Sequence, residues 1–332
     1  MNQDIAICIP TFNQAQFLGL AVGSALSQNN GADEIWVADD ASTDATPAVM
    51  RQFAADPRVH YHRHPRNLGI AGNNNWLLSQ PRSEFIIRLD SDDLLAPDFA
   101  LTLANELRRH PKAGYAHAAV HEIDRSGRLQ RDRMLARSAG YQEPEDSLRA
   151  MTSGYRVAAN ICMFRRDALE EVAFYRVGVD PAEDWDLAVR LADAGWGNFY
   201  CPRLLASYRV WSDAGNARVR RKQAEIEGCR RVFAESLGPA FERRGWPTQS
   251  LIRHRRAMAA RHALALTNSV FTPEQKATLV TALRSLGDGP LLRWRLVLLQ
   301  MGLGGVLRSM NSISVRMRDL LKRVRQSAVG AR

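Results

Sequence analysis

The sequence predicts an α/β domain, a mostly parallel sheet flanked by helices, with a helical appendage after it. Two observations carry that prediction. Over the first 110 residues, short apolar and β-branched runs alternate with amphipathic segments, the pattern of βα units in a parallel sheet. The charge balance then reverses: residues 1–214 hold 22 basic and 28 acidic side chains, whereas residues 215–332 hold 23 and 7. At 332 residues and 45% hydrophobic, the chain can bury a full core beside such an appendage.

Asp4 to Pro10 is the first strand, broken at Pro10-Thr11-Phe12-Asn13 before a helical segment bearing Phe17, Leu18, Val22 and Leu26. Glu34 to Ala38 is the second, running into Asp39-Asp40-Ala41-Ser42-Thr43-Asp44. Pro47 has the fixed φ of a helix start, and Asp44 reads as the cap before it. Val59 to His64 is the third strand, with His60, His62 and His64 alternating along it; a half-buried strand face is expected there rather than a metal site. Asn67-Leu68-Gly69 then leads into a helix through Asn73, Asn74, Asn75 and Trp76.

The fourth strand, from Phe85, is apolar and ends in Asp90-Ser91-Asp92-Asp93. A run of this kind reads as buried, and in open α/β sheets the carboxyl ends of strands face the ligand crevice. Asp90 and Asp92 are two apart, so an extended chain sends both to one face. Converging carboxylates repel unless a cation lies between them, and hard oxygen ligands suit Mg²⁺ or Mn²⁺ together with substrate phosphates. The alternative is that Asp92 and Asp93 cap the helix beginning near Pro97. Further on, Asp180, Pro181 and Glu183 read as a helix start. Asp184, Leu187, Ala188 and Leu191 share one face of that helix. Asp184 therefore points inward, charged, and suited to accept a proton; otherwise it is a first-turn acid that only complements the helix dipole.

Pro10-Thr11-Phe12-Asn13, Asp39 to Asp44, Asn67-Leu68-Gly69, Asp90-Ser91-Asp92-Asp93 and Glu183-Asp184-Trp185-Asp186 follow one another in this order. In them the chain resembles the family 2 glycosyltransferases, inverting enzymes of the Rossmann-like GT-A fold. The resemblance implies a hexosyltransferase that moves a sugar from a nucleotide-sugar donor, usually a UDP-sugar, to the hydroxyl of a glycan or lipid-linked glycan, as in surface-polysaccharide assembly. It sets Pro10, Thr11, Asn13, Asp39, Asp40, Asn67, Gly69, Asp90 and Ser91 against the donor, Asp90 and Asp92 at a Mg²⁺ or Mn²⁺ ion, and Asp184 as catalytic base. Glu183, Trp185, Arg209 and Trp211 would meet the acceptor or the diphosphate. A carboxylate at Asp39 or Asp40 can accept from a pyrimidine N3–H or from ribose hydroxyls, although either is also suited to bond nearby turn amides.

Two departures stand against the family pattern. After the strand Leu204 to Val210, members commonly place a His two residues beyond an Arg, where Tyr208-Arg209-Val210-Trp211 stands here; an indole cannot ligate a metal. The helix after Asn67-Leu68-Gly69 often carries an Arg toward the donor phosphates, and here it carries three asparagines, leaving Arg66 or Arg88 to supply that charge. A catalytically silent nucleotide-sugar binder or a membrane scaffold is the alternative they suggest.

Domain 1–214 is expected to be catalytic, with 1–110 for the donor and 111–214 for the acceptor and base. Within it, Ala113 to Val120 and Asn160 to Phe164 look like strands, and the polar stretch from Asp124 to Ser147 lacks periodicity, as a mobile loop over the acceptor would. The dinucleotide fingerprint, the phosphate loop and the nucleophile elbow are missing. Cys8, Cys162, Cys201 and Cys229 lack zinc spacing and read as reduced core residues. With no targeting segment seen ahead of the first strand, they suggest a cytoplasmic location.

Residues 215–332 read as helices over Arg218–Leu237, Gln249–Thr267, Pro273–Leu286 and from Leu291 onward. The last is too short and too charged to span a bilayer. A basic amphipathic helix with Trp and Leu lies in the membrane interface, where anionic lipid adds about 1 kcal/mol per nearby Lys or Arg. Arg308, Arg316, Arg318, Lys322, Arg323 and Arg325 follow, so attachment to the inner face of the plasma membrane is expected. The alternative is packing on the catalytic domain or on another copy in a homo-oligomer. No nucleic-acid-binding module is present.

Overall fold

The computed structural model describes residues 4–29, 32–210, 219 and 221–309. Trp211 and the basic residues from Arg316 onward lie outside the described residues. The chain divides into two compact units, residues 1–212 and 213–332.

In the first unit, β1 (Ile5–Thr11), β2 (Glu34–Asp39), β3 (Val59–Arg63) and β4 (Phe85–Arg88) run parallel. β9 (Cys162–Arg165) lies antiparallel between β4 and β6 (Ala113–Ile123). β6 in turn pairs parallel with β10 (Gly197–Arg209), and β5 (Leu94–Leu95) closes that side. The order β3-β2-β1-β4-β9-β6-β10-β5 makes a mixed sheet whose first half is wholly parallel. Ile5, Ile7 and Ile9 of β1 pack under α1 (Ala15–Leu26) and α4 (Phe99–Arg109), together with Leu18, Val22, Phe99 and Leu103. Cys8 faces the opposite way, its Sγ 3.8 Å from the Leu77 carbonyl of α3 (Gly69–Leu78). Both faces of β1 are thus covered, which is why it reads as a continuous apolar run. Thr11 pairs with Asp39, and Asp39 with Arg63. That register stacks the ends of the parallel strands at one edge.

Two local expectations are corrected. The stretch 124–147 forms β7 (Leu129–Arg133), a hairpin partner of β6, then β8 (Gly140–Gln142) on β10 and the first turns of α5 (Pro144–Met151). β7 is exposed along most of its length, so neither face demands apolar residues and no alternation marks it. The helix α7 begins at Glu183 and runs to Asp193. Asp180 and Pro181, joined by a cis peptide, lie in a turn closed by Ala182 N donating to Val179 O at 2.9 Å, so Asp180 is not a cap.

The second unit is helical: α8 (Lys222–Arg231), a π-helical turn over Val232–Leu237, α9 (Gly238–Arg243), α10 (Gln249–His262), α11 (Pro273–Gly287) and α12 (Pro290–Gln300). Thr272 and Gln275 form a reciprocal capping box at the start of α11. At its other end Gly287 meets α10 so closely that a Cβ would lie 2.7 Å from the Arg255 backbone. Ile226, Phe233, Leu237, Ala259, Leu283 and Leu286 form the core. Among the described residues, no helix is long and apolar enough to cross a membrane.

Candidate active site

Four loops meet beyond the ends of β1 to β4. Asn13, at φ 54°, occupies the left-handed region that Asn tolerates. Its N–H donates to Ser42 Oγ at 2.9 Å and its Oδ1 accepts from Thr43 N at 2.8 Å, joining the first loop to the second. Thr11 lies beside it with a buried, unpartnered hydroxyl. Asp44 bridges two helix starts: it accepts from Ala15 N of α1 at 2.9 Å and from Thr46 N and Oγ1 at 3.0 and 2.6 Å. Burial pushes its carboxyl up, but those hydrogen bonds win and hold it below the usual value.

Asp39 and Asp40 are both buried. Asp39 accepts from Ser42 N at 2.8 Å and from the Tyr61 hydroxyl at 2.7 Å, with the Arg63 guanidinium 3.6 Å away. Asp40 accepts from Leu68 N at 2.6 Å and from Gly69 N at 3.0 Å, while Asn67 Nδ2 donates to its carbonyl. Gly69 is at φ 78°, where a side chain would be strained. Asp40 thus fastens the third loop to the second, in the amide-binding role weighed for this pair. His60, His62 and His64 share one face, with His60 stacked on Trp36 and His62 on Trp76. With Trp36 and Trp76 they form an aromatic cluster.

At the end of β4 the chain turns. Asp93 N donates to Asp90 O at 3.0 Å, so Asp90 and Asp92 are neighbours through a tight turn and not through an extended strand. Arg88, only 5% exposed, donates from Nη2 to Asp90 Oδ1 at 2.8 Å, from Nη1 to Asp184 Oδ1 at 3.0 Å, and from Nε to Asn74 Oδ1 at 3.2 Å. Its guanidinium is thus engaged with carboxylates, whereas Arg66 is exposed. The asparagines of α3 each fasten a different neighbour. Asn73 bonds His64 and the Ala38 carbonyl, Asn74 bonds Arg88, and Asn75 pairs with both backbone groups of Tyr175.

Asp184 heads α7 with its side chain 12% exposed. Oδ1 also accepts from the Tyr175 hydroxyl at 2.9 Å, so both hydrogen bonds fall on one oxygen. Beside it Glu183 is buried, its Oε2 without a partner. Burial, reinforced by the charge of Asp184, pushes the Glu183 carboxyl up to about 8. Trp185 turns away from the crevice, its Nε1 donating to Met151 O at 3.1 Å between α7 and α5. Arg209 is likewise directed inward. Its backbone N–H donates to Asp93 Oδ1 at 2.7 Å, and its guanidinium to the carbonyls of Asp92, Asp124 and Arg125 at 2.8 to 3.1 Å. The Trp185 indole thus bridges two helices, and Arg209 holds the acidic turn.

Among the described residues, no group of three or more His, Cys, Asp and Glu side chains forms a ready-made metal cage. The turn nonetheless fits a hard cation. Burial and then the charges of Asp92 and Asp184, opposed by Arg88, leave the Asp90 carboxyl up at about 6. The buried Asp93 Oδ2 has no partner. A surplus of hard, crowded oxygens suits Mg²⁺ or Mn²⁺ whose other ligands are phosphates and water.

Tyr175 and Asn74 were missed as site residues by motif reading, and Arg88, expected only as a charge toward the donor phosphates, is bound to Asp90 and Asp184. For Arg88 a signal existed: a guanidinium inside a fully buried strand must find partners.

The family model described as Glycosyl transferase family 2 matches residues 6–173. A chondroitin synthase of Escherichia coli is 29% identical over 192 residues, 58% of this chain and 27% of its own length; the chain spans about a quarter of that relative. Among solved structures, S. aureus TarS 1–349 in complex with UDP-GlcNAc superposes with a TM-score of 0.56 at 14% identity, covering 85% of this chain and 90% of that one. The mannosyltransferase PcManGT of Pyrobaculum calidifontis, in complex with GDP-Man and Mn²⁺, gives 0.56 at 19% identity over 97% and 86%. At these identities the two structures establish a shared fold.

Proposed function

The chain belongs to glycosyl transferase family 2, and from that premise we propose that it transfers a sugar, with inversion, from a UDP-sugar to an acceptor hydroxyl on a glycan or lipid-linked glycan. One observation carries the reading: the Asp184 carboxylate at the head of α7 and the Asp90 turn at the end of β4 meet in a single site. The UDP-GlcNAc complex of a protein with this fold and the polymer made by the chondroitin synthase support the donor and acceptor classes.

Thr11, Asn13 and Asp39 are suited to the nucleoside, with Asp39 accepting from the base or ribose, and Asp40 keeps the Asn67–Gly69 loop in place beside them. Asp184 takes the proton of the acceptor hydroxyl. The freed oxygen pair forms the new bond to the anomeric carbon from the face opposite the diphosphate, the anomeric C–O bond to phosphate breaks, and the nucleoside diphosphate leaves with that electron pair. Glu183, neutral near pH 7, adds no second negative charge beside the base. A Mg²⁺ or Mn²⁺ ion bound at Asp90 and Asp92 supplies charge neutralisation to the diphosphate.

The donor claim is tested by thermal stabilisation with UDP, GDP and dTDP, each with and without Mn²⁺, on wild type and Asp92→Asn. UDP with Mn²⁺ is expected to raise Tm in wild type, since ligand at about 100 times Kd adds about 2.7 kcal/mol. The variant is expected to lose that rise. No shift with any nucleotide would remove the donor site from the reading.

Attachment to an anionic membrane surface completes the proposal. Leu292 and Leu296 of α12 are buried, whereas Leu291, Trp294, Val297 and Met301 form an exposed apolar stripe. Arg293, paired with Asp288, lies on the same helix and Arg308 is exposed in the segment after it, in a region of +16 net charge. An apolar stripe with Trp and flanking arginines suits the inner leaflet better than water. The protein is expected to sediment with vesicles containing phosphatidylglycerol, but not with phosphatidylcholine alone, and Trp294→Asp with Val297→Asp is expected to abolish it. Equal binding to neither lipid, with a mass that doubles with concentration, would assign the stripe to a second copy instead.

A further inference from the structure

We infer that Arg88 is a positioning residue for the base: it fixes Asp184 through Oδ1 so that Oδ2 is the oxygen presented to the acceptor hydroxyl. The inference rests on the reading of Asp184 as that base. Arg88 leaves a buried strand, and its three hydrogen-bonding directions end on three different elements, α3 through Asn74, the β4 turn through Asp90 and α7 through Asp184. A planar guanidinium is suited to this fork, and an ammonium is not. Tyr175 completes the arrangement by donating to the same Oδ1, its ring 5.9 Å from the Arg88 guanidinium carbon. Asn75, one residue after the anchor of Arg88, holds the Tyr175 backbone by two bonds of 2.8 Å. One turn of α3 therefore sets both donors that orient the carboxylate.

The charge pattern makes the same point. Asp90 and Asp184 both pair with this guanidinium, and Asp93 lies within its field. Without it Asp184 would keep only the Tyr175 hydroxyl on Oδ1 and would face Asp90 with no cation between them. Arg88 does not touch substrate in this role; it acts through Asp184, and a lysine keeps a cation beside Asp90, so Arg88→Lys should lower turnover far more than donor binding. That separates the role from phosphate neutralisation, which would weaken donor binding first.

The test is a double-mutant cycle on the full chain. The rate is that of nucleotide release, with water as acceptor, from whichever of UDP-GlcNAc, UDP-glucose, UDP-glucuronate and GDP-mannose wild type hydrolyses fastest; the nucleotide-dependent rise in Tm is read in parallel. Arg88→Lys should lower kcat by about 10- to 100-fold, the cost of a base displaced by about an ångström, with the Tm rise retained. Asn74→Ala, which keeps the guanidinium and removes only its anchor, guards against misfolding and should lower kcat in the same direction by a smaller factor. In an Asp184→Asn background, Arg88→Lys should cost less than about 3-fold more, because residues acting as one unit are not additive. Full kcat in Arg88→Lys, or the same loss in both backgrounds, would overturn the inference. Wild-type turnover in Asp184→Asn would instead remove the base reading itself.

Discussion

Asp184→Asn should lower kcat by about 10²- to 10⁴-fold, the range for a positioned general base, while the nucleotide-dependent rise in Tm stays near that of wild type. The substitution is close to isosteric. Asn keeps a carbonyl oxygen that can accept from Arg88 and Tyr175, the two donors that hold Asp184 Oδ1, and loses only the capacity to take a proton. Loss of turnover with binding intact therefore isolates proton transfer from site collapse. A variant that turned over at the wild-type rate would leave the reaction to another group, and Glu183 next to it would be the first to examine.

The second large effect is on stability. Asp186→Ala should cost about 3 kcal/mol or more and lower the Tm of the first unit by roughly 6 to 12 °C, because breaking a buried ion pair leaves a charge uncompensated. Asp186 is 0% exposed and holds Arg190 at 2.7 Å and Arg176 at 3.3 Å. Arg190 in turn donates to the carbonyls of Val172 and Phe174. Those carbonyls flank Ala173 and Phe174, both at positive φ without being glycine, a backbone that its surroundings must enforce. Tyr175 follows directly and donates to the base. Thermal unfolding of Asp186→Ala followed by circular dichroism measures the effect, and a Tm within 2 °C of wild type would contradict it.

Much of this arrangement could be read from the chain. β1, β2 and β4 announced themselves because they are buried and largely apolar and because polar loops end each one, whereas β3, at the sheet edge, is a half-buried strand carrying alternate histidines. The helices of the second unit were legible as segments, and those read from Gln249 and from Pro273 begin at those residues. The contacts that orient the site were not. Arg88 and Asp184 are 96 residues apart, as are none of the motif spacings that sequence reading uses, and Asn74 and Asn75 look like ordinary polar helix residues until β4 and Tyr175 are placed against them. The hairpin strand β7 was invisible for the opposite reason: its residues face solvent, so burial imposed no pattern on them. The start of α7 was misplaced because Pro181 has the φ of a first-turn proline and equally that of a turn.

Arg209 has a consequence for how this protein can be shortened. The family match closes at residue 173, and a truncation designed on it would look complete by homology. Yet the Asp92–Asp93 turn that the match contains is pegged from outside it, by the backbone N–H and guanidinium of a residue 36 positions beyond its end. Cutting the chain before residue 197 would also strip all of β10 from β6, and any cut between 197 and 209 would shorten that pairing. The smallest piece able to keep its acidic turn therefore reaches past Arg209, almost to the junction at residues 212 and 213.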